Sequence, residues 1–323
     1  MLGGTVFLSR AVAVEAAARG HDVSVAARGA SGSVPDGVRH VALDRTEEIP
    51  ADLAAEEFDA VVDVARTPSW VARAVAAWPR AHWTFVSTIN VYADETTPGG
   101  TPATLPLVDA QPEDIDLRAH PEAYGPMKVA CEQLVREGAE RAFVVRPGLI
   151  VGPGDPTGRF TYWPARLADV EPGEPVLAGG DPSDTVQVID VRDLAAWIVT
   201  AAESGLTGHL DGVGPSMPLG DLLAEVATGL GVEPRWTWAS DAILEVHDVA
   251  PWMGPRSLPL WLPRPAYDGM LAHDWSPSRD AGLTARPIGE TARDTLEWLR
   301  ATPDAVVTGL TREQEREVLD GLG

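Results

Sequence analysis

Residues 1–9, Met1-Leu2-Gly3-Gly4-Thr5-Val6-Phe7-Leu8-Ser9, read as a strand end, a glycine turn and the start of a helix. The helix continues through residues 10–19 and stops at Gly20, and residues 21–27 read as a second strand. Strand, glycine turn, helix and strand make a βαβ unit, which commits the chain to a parallel sheet with helices on its faces and places a pyrophosphate on the helix N-terminus. The first strand is cut to Met1-Leu2, although in such a sheet it lies at the centre. Set against ordinary strand lengths, about five more residues are expected upstream.

The alternation continues. Residues 38–43 and 58–64 read as strands, residues 69–78 as a helix, and an apolar β-branched run enters Ser87-Thr88 as the next strand. Residues 94–121, rich in Pro, Thr and Asp, read as a long surface excursion, and a sixth strand from residue 141 runs into a Gly/Pro loop. The expected fold is α/β, a doubly wound parallel sheet with a smaller C-terminal lobe. A chain of 323 residues can bury both. The division is expected near residue 150: residues 1–150 as a dinucleotide-binding domain, residues 151–323 as a substrate lobe, with about 185–200 returning to the first core. Residues 247–263, too broken by proline for a helix, are expected to form a lid. Residues 287–299 and 311–322 read as amphipathic helices.

Chemistry is concentrated at Tyr124-Gly125-Pro126-Met127-Lys128. A phenol and an ammonium four positions apart share one helix face. Of the 25 basic residues Lys128 is the only lysine, so this position specifically takes a compact ammonium where arginine is used everywhere else. An ammonium beside a phenol lowers its pKa, and a tyrosine so poised can give or take a proton at a carbonyl or alcohol oxygen. Ser87 and Thr88, at a strand end, offer hydroxyls to hold that oxygen.

The run Ser87-Thr88-Ile89-Asn90-Val91-Tyr92 followed by Tyr124-x-x-x-Lys128 resembles the extended short-chain dehydrogenase/reductase family, which includes sugar-nucleotide epimerases, dehydratases and reductases. The resemblance implies Tyr124 as general acid/base, Lys128 as the group that lowers its pKa and binds the nicotinamide ribose, and Thr88, with Ser87, as holder of the reacting oxygen. Against the family's three glycines Gly3 matches, while Val6 and Ser9 stand in the other two places. The loop looks more like a Gly-Gly-Thr-x-Phe-Leu-Gly variant, which would put Gly3, Gly4, Thr5, Val6 and Phe7 against the cofactor.

Other expectations rest on the same resemblance. Asp44 matches an adenine-contacting acid, Ala65 and Arg66 lie in the turn that approaches the cofactor, and Pro147-Gly148 lies beside the nicotinamide. The second strand ends in Ala27-Arg28-Gly29, with no acid for a ribose 2′-hydroxyl and an arginine suited to a 2′-phosphate, so NADP(H) is expected ahead of NAD(H). Asn90, Arg159, Tyr162, Trp163 and Trp252 are the expected substrate contacts. The implied reaction is hydride transfer to or from a carbonyl or alcohol carbon of a small molecule. A redox-neutral epimerase and a non-catalytic nucleotide or metabolite binder are the alternatives. Dehydration lacks its acid and base, because Ile89-Asn90 stand where dehydratases of the family carry Asp-Glu.

A net charge of −23 repels phosphate backbones and anionic lipids, which disfavours nucleic-acid and membrane partners. One cysteine, Cys131, excludes an internal disulfide and fits a reducing cytoplasm. The sequence carries neither a basic-then-apolar leader nor an 18-residue apolar run, and its seven histidines show no metal-ligand spacing. A homodimer through the Tyr124 helix is what the resemblance implies for assembly.

Overall fold

The computed structural model describes residues 1–322. After the glycine turn, α1 (Phe7–Ala18) leads to β1 (Ser24–Ala27) and β2 (Arg39–Ala42), a parallel pair. The single turn α2 (Ala51–Ala54) precedes β3 (Ala60–Asp63), α3 (Pro68–Ala77) and β4 (His82–Val86). Helix α4 (Tyr124–Gly138) then delivers β5 (Arg141–Pro147). Leu2 makes parallel bridges to both Ala26 and Asp63. The first strand is thus central and is represented there by that one residue.

Beyond β5 the chain forms β6 (Leu149–Val151), α5 (Tyr162–Leu167), β7 (Pro175–Gly179), β8 (Thr185–Asp190) and α6 (Val191–Ser204). It returns to the main sheet as β9 (Gly208–Gly212). The order across that sheet is β2, β1, Leu2, β3, β4, β5, β9, all parallel. Helices α3 and α4 cover one face around Val71, Trp83, Phe85, Cys131 and Val144. Helices α1 and α6 cover the other around Val12, Val86, Phe143, Leu194 and Trp197. A strand covered on both faces has no use for alternation, and all five residues of β4 are buried.

The remaining elements are β10 (Ser216–Pro218), α7 (Leu219–Leu230), β11 (Arg235–Ala239), α8 (Asp241–Val246), β12 (Ala250–Pro251), β13 (Ser257–Leu258), α9 (Ser276–Asp280), α10 (Ile288–Ala301) and α11 (Arg312–Gly321). β8 pairs with β6 and β10, and β7 with β11. Their core gathers Trp163, Leu177, Leu223, Leu258 and Trp261. Glu315 of α11 reaches into it, accepting from Arg166 at 2.6 Å and from the Leu177 N–H at 3.0 Å. Among the described residues no helix is long and apolar enough to cross a membrane.

A buried polar chain ties the parts together. Arg146 on β5 donates two hydrogen bonds to Glu132 on α4, at 2.9 and 2.7 Å, and one to Tyr92 Oη at 3.1 Å. Tyr92 donates to Asp211 on β9 at 2.6 Å, and the other Asp211 oxygen is 2.9 Å from His273 Nδ1.

Two sequence expectations need correction. Residues 94–121 are not merely a surface excursion: Leu105, Leu107 and Val108 pack on the cluster of Val91, Tyr92 and Val129, and Leu107 bridges Tyr92. Residues 247–263 are not wholly a lid, because Leu258, Leu260, Trp261 and Leu262 are buried in the second core.

Candidate active site

The carboxyl end of β4 starts the site. The Ser87 N–H donates to the Val145 carbonyl at 2.7 Å, so pairing with β5 continues to the first hydroxyl. Thr88 then caps a short 3-10 turn, its Oγ1 accepting from the Asn90 N–H at 3.2 Å and donating to Asn90 Oδ1 at 2.9 Å. Thr88 is therefore an oriented hydroxyl whose proton is engaged. The Ser87 hydroxyl is buried and, among the described residues, has no partner.

Helix α4 begins at Tyr124, directly against this turn. A Cβ on Gly125 would lie 2.1 Å from the Asn90 carbonyl oxygen, so only glycine lets the helix approach closely enough to set Tyr124 beside Thr88. Burial raises the phenol pKa above its ordinary value, opposed by the neighbouring Thr88 hydroxyl and by the charges of Arg66 and Arg159.

Lys128 lies one turn further and is buried. Its Nζ donates to the carbonyls of Val86 at 2.6 Å, Ala65 at 2.8 Å and Val64 at 3.4 Å, and it sits 4.8 Å from the Phe85 ring centroid. Three converging carbonyls match three ammonium protons, which a planar guanidinium cannot do in that space. Burial lowers its pKa to about 8, opposed by Cys131, Asp63 and Glu132. The ammonium is thus bound to the ends of β3 and β4, one helical turn from the phenol, and the charges of Arg66 and Arg159 also act on that phenol.

These groups line a cleft of about 430 Å³ with Val6, Phe7, Ser9, Asn90, Pro147, Gly148, Arg159 and Trp252. Arg159 stacks on Trp252, with its guanidinium carbon 4.6 Å from the ring centroid. Tyr162 and Trp163, expected at the substrate, do not line the cleft. Both are buried in the second core, where Trp163 Nε1 donates to the Pro259 carbonyl at 3.1 Å. Trp252 is the residue of the expected lid that faces the cleft.

A second cleft, about 190 Å³, shares Val64 with the first and continues past Gly3, Thr5, Arg28, Ser31, Arg45 and Ala65. The two meet around the N-terminus of α1. Gly3 and Gly4 adopt φ +96° and +107°, and a Cβ on Gly4 would lie 2.6 Å from Val25 Cγ2. Ser9 Oγ receives the Gly4 N–H at 3.1 Å and donates to the Val6 carbonyl at 2.8 Å, holding the turn closed over the helix start. Such a helix start presents N–H groups to an anion. Val6 is 42% exposed, on the cleft wall.

Two expected cofactor residues lie elsewhere. Asp44 is exposed and does not line the second cleft; its carboxylate accepts from the Thr46 N–H and hydroxyl at 2.9 and 2.8 Å. Arg66 is exposed and lines neither cleft, although its charge reaches Tyr124. Sequence reasoning missed Arg45, which donates to both oxygens of the fully buried Asp63, at 3.1 and 2.9 Å, within the second cleft. An aspartate ending an apolar strand was the available signal, since a buried carboxylate needs a partner.

A sequence profile described as the NAD dependent epimerase/dehydratase family matches residues 1–211. The chain is 29% identical over 252 residues to a 2'-dehydrokanamycin reductase of Streptomyces kanamyceticus, covering 71% of this chain and 67% of that protein. Among solved structures, a putative epimerase from Burkholderia cenocepacia J2315 aligns with TM-score 0.65 at 19% identity, over 93% of this chain and 97% of the other. WbmH of Bordetella bronchiseptica, in complex with NAD+, aligns with TM-score 0.61 at 17% identity, over 93% and 97%. These two likenesses show the fold.

Proposed function

The chain belongs to the NAD-dependent epimerase/dehydratase family, and from that premise we propose that it is an NADP(H)-linked oxidoreductase acting on a carbonyl or alcohol carbon of a small molecule. The observation that carries this reading is the convergence of Ser87, Thr88 and Tyr124 on one cleft beside the N-terminus of α1. The reductase relative at 29% identity supports the oxidoreductase class.

The residues fit a dinucleotide along the two joined clefts. Gly3, Gly4, Thr5, Val6 and Phe7 form the turn for the pyrophosphate, Ala65, Pro147 and Gly148 flank the nicotinamide end, and Arg28 with Ser31 stands at the far end. Among the described residues the only carboxylate lining the second cleft, Asp63, is tied up by Arg45. Arg28 is then offered to a ribose 2′-phosphate with no free acid on the cleft wall, its nearby Asp44 lying outside the cleft and engaged by Thr46, which favours NADP(H) over NAD(H). We assign residues 1–150, with α6 and β9, to the cofactor half, and the remainder to the substrate lobe.

When bound, the nicotinamide supplies or accepts the hydride. The chain's own residues handle the oxygen. Tyr124 gives its proton to the oxygen in reduction and takes it back in oxidation; a phenol raised by burial is fully protonated at neutral pH, the state needed for donation. Ser87, whose proton is uncommitted, donates a second hydrogen bond to that oxygen, and Thr88 is fixed by Asn90 beside them. Lys128 pins the strand ends beneath the pair.

Fluorescence titration with NADPH and NADH, on wild type and Arg28→Ala, tests the proposal. NADPH should bind at least tenfold tighter than NADH, and the variant should lose that preference. Tighter NADH binding would turn the reading toward the epimerase, and binding of neither would end the enzyme reading.

A further inference from the structure

In a chain with 48 acidic residues and a net charge of −23, no aspartate or glutamate among the described residues lines the cleft around Tyr124. Two cations do. All three protons of Lys128 are directed at backbone carbonyls, leaving Arg159 as the one with capacity to spare. Arg159 Nε donates to Thr157 Oγ1 at 3.1 Å. Among the described residues its two terminal nitrogens have no hydrogen-bond or ion-pair partner. Stacking on Trp252 and the Thr157 bond hold the fork in one orientation.

Such an arrangement is costly without a ligand. A half-buried guanidinium gives up hydration and recovers little of it from neutral partners. Burial accordingly lowers the Arg159 pKa from its ordinary value, opposed by Asp155 and Tyr124. Asp155 acts on it only at a distance: this carboxylate is buried, forms no ion pair among the described residues, and commits Oδ1 to the Thr157 N–H and hydroxyl. The exposed Arg66, the other charge that acts on Tyr124, is also positive.

We propose that Arg159 receives an anionic group of the substrate, a carboxylate or a phosphate, so that the enzyme selects negatively charged small molecules. The inference rests on the cleft being the substrate site proposed above. Two terminal N–H groups of one guanidinium fit two oxygens of either oxyanion, and the Trp252 face fixes the plane of that fork. The anion binds within the field felt by Tyr124, so it lies on the same small molecule as the reacting oxygen. Neutral analogues lose a charge-assisted contact, and cationic analogues are repelled by Arg159, Arg66 and Lys128 together.

The test is calorimetric titration of wild type, Arg159→Gln and Arg159→Lys with D-glucuronate, D-glucose 6-phosphate, neutral D-glucuronamide and cationic D-glucosamine, each with and without saturating NADPH. The expected result is binding of glucuronate, of glucose 6-phosphate, or of both, at least tenfold tighter than of glucuronamide, with glucosamine weakest. Arg159→Gln should abolish the discrimination and Arg159→Lys should restore part of it, NADPH affinity being unchanged in both. Which of the two anions binds tighter tells carboxylate from phosphate. Equal binding of the four probes, no binding of either anion, or loss of NADPH affinity in Arg159→Gln would overturn the proposal. Failure of wild type to bind NADPH refutes the oxidoreductase reading separately, because anion selectivity is read in the samples without nucleotide.

Discussion

Lys128 Nζ lies 2.6 Å from the carbonyl oxygen of Val86, the residue immediately before the Ser87 hydroxyl. With the Ala65 and Val64 carbonyls as its other acceptors, the one lysine of the chain fastens α4 to the ends of two strands. Replacing it by arginine puts a larger planar group into a space closed by Phe85 and three carbonyls. Lys128→Arg is expected to destabilise the fold by about 2–4 kcal/mol, read from urea unfolding.

The same ammonium gives a pH dependence. Its folded pKa of about 8 lies below the ordinary 10.5, so between those values the unfolded chain holds the extra proton. The cost of burying the charge is present in full below pH 8 and is relieved as pH rises toward 10.5. Wild type should therefore gain stability over that window relative to Lys128→Met, by on the order of 3 kcal/mol. A flat difference between the two unfolding curves across the window would disprove it.

Tyr124→Phe removes the proton donor of the proposed reaction and little else. With any carbonyl substrate identified for the enzyme, kcat should fall by about 10²–10⁴. NADPH affinity and thermal midpoint should stay near the wild-type values. A variant that keeps its rate would remove Tyr124 from the chemistry.

Arg146 and Glu132 are buried together on β5 and α4. Glu132→Gln leaves a guanidinium without its counter-charge and should cost about 3–5 kcal/mol in urea unfolding. The double variant Glu132→Met/Arg146→Met removes both charges and should cost clearly less than the two single changes added. Additivity within about 0.5 kcal/mol would mean the pair is not coupled.

Gly4→Ala places a methyl group 2.6 Å from Val25 and asks alanine for φ +107°. Strain and overlap together should cost about 2–4 kcal/mol, and NADPH affinity should fall with the distortion of the turn. Wild-type stability and affinity in this variant would show that the turn relaxes freely.

The fold was legible because its signals are local. An apolar β-branched run that stops at Ser87-Thr88 is a buried strand with hydroxyls at its end, and a tyrosine and a lysine four apart share a helix face wherever the helix lies. Contacts between distant segments were not legible. The Lys128 acceptors are backbone carbonyls of residues 64, 65 and 86, and no side chain advertises a carbonyl. Asp44 was read as a cofactor contact, but a threonine two positions later captures its carboxylate, a competition that sequence spacing does not resolve. Likewise, composition cannot say which of two tryptophans faces a cleft: Trp163 supports a core, and Trp252 supports Arg159.

Arg159 hangs from the connection between β6 and α5, and Trp252 from the connection between β12 and β13. Neither belongs to the polar chain that runs from Glu132 to His273, and neither lies on a strand of the main sheet. Exchange of these two side chains leaves Ser87, Thr88 and Tyr124 where they are. Paralogues that keep Ser87, Thr88, Tyr124 and Lys128 are thus free to diverge in what they accept, loop by loop, while inheriting one chemistry unchanged.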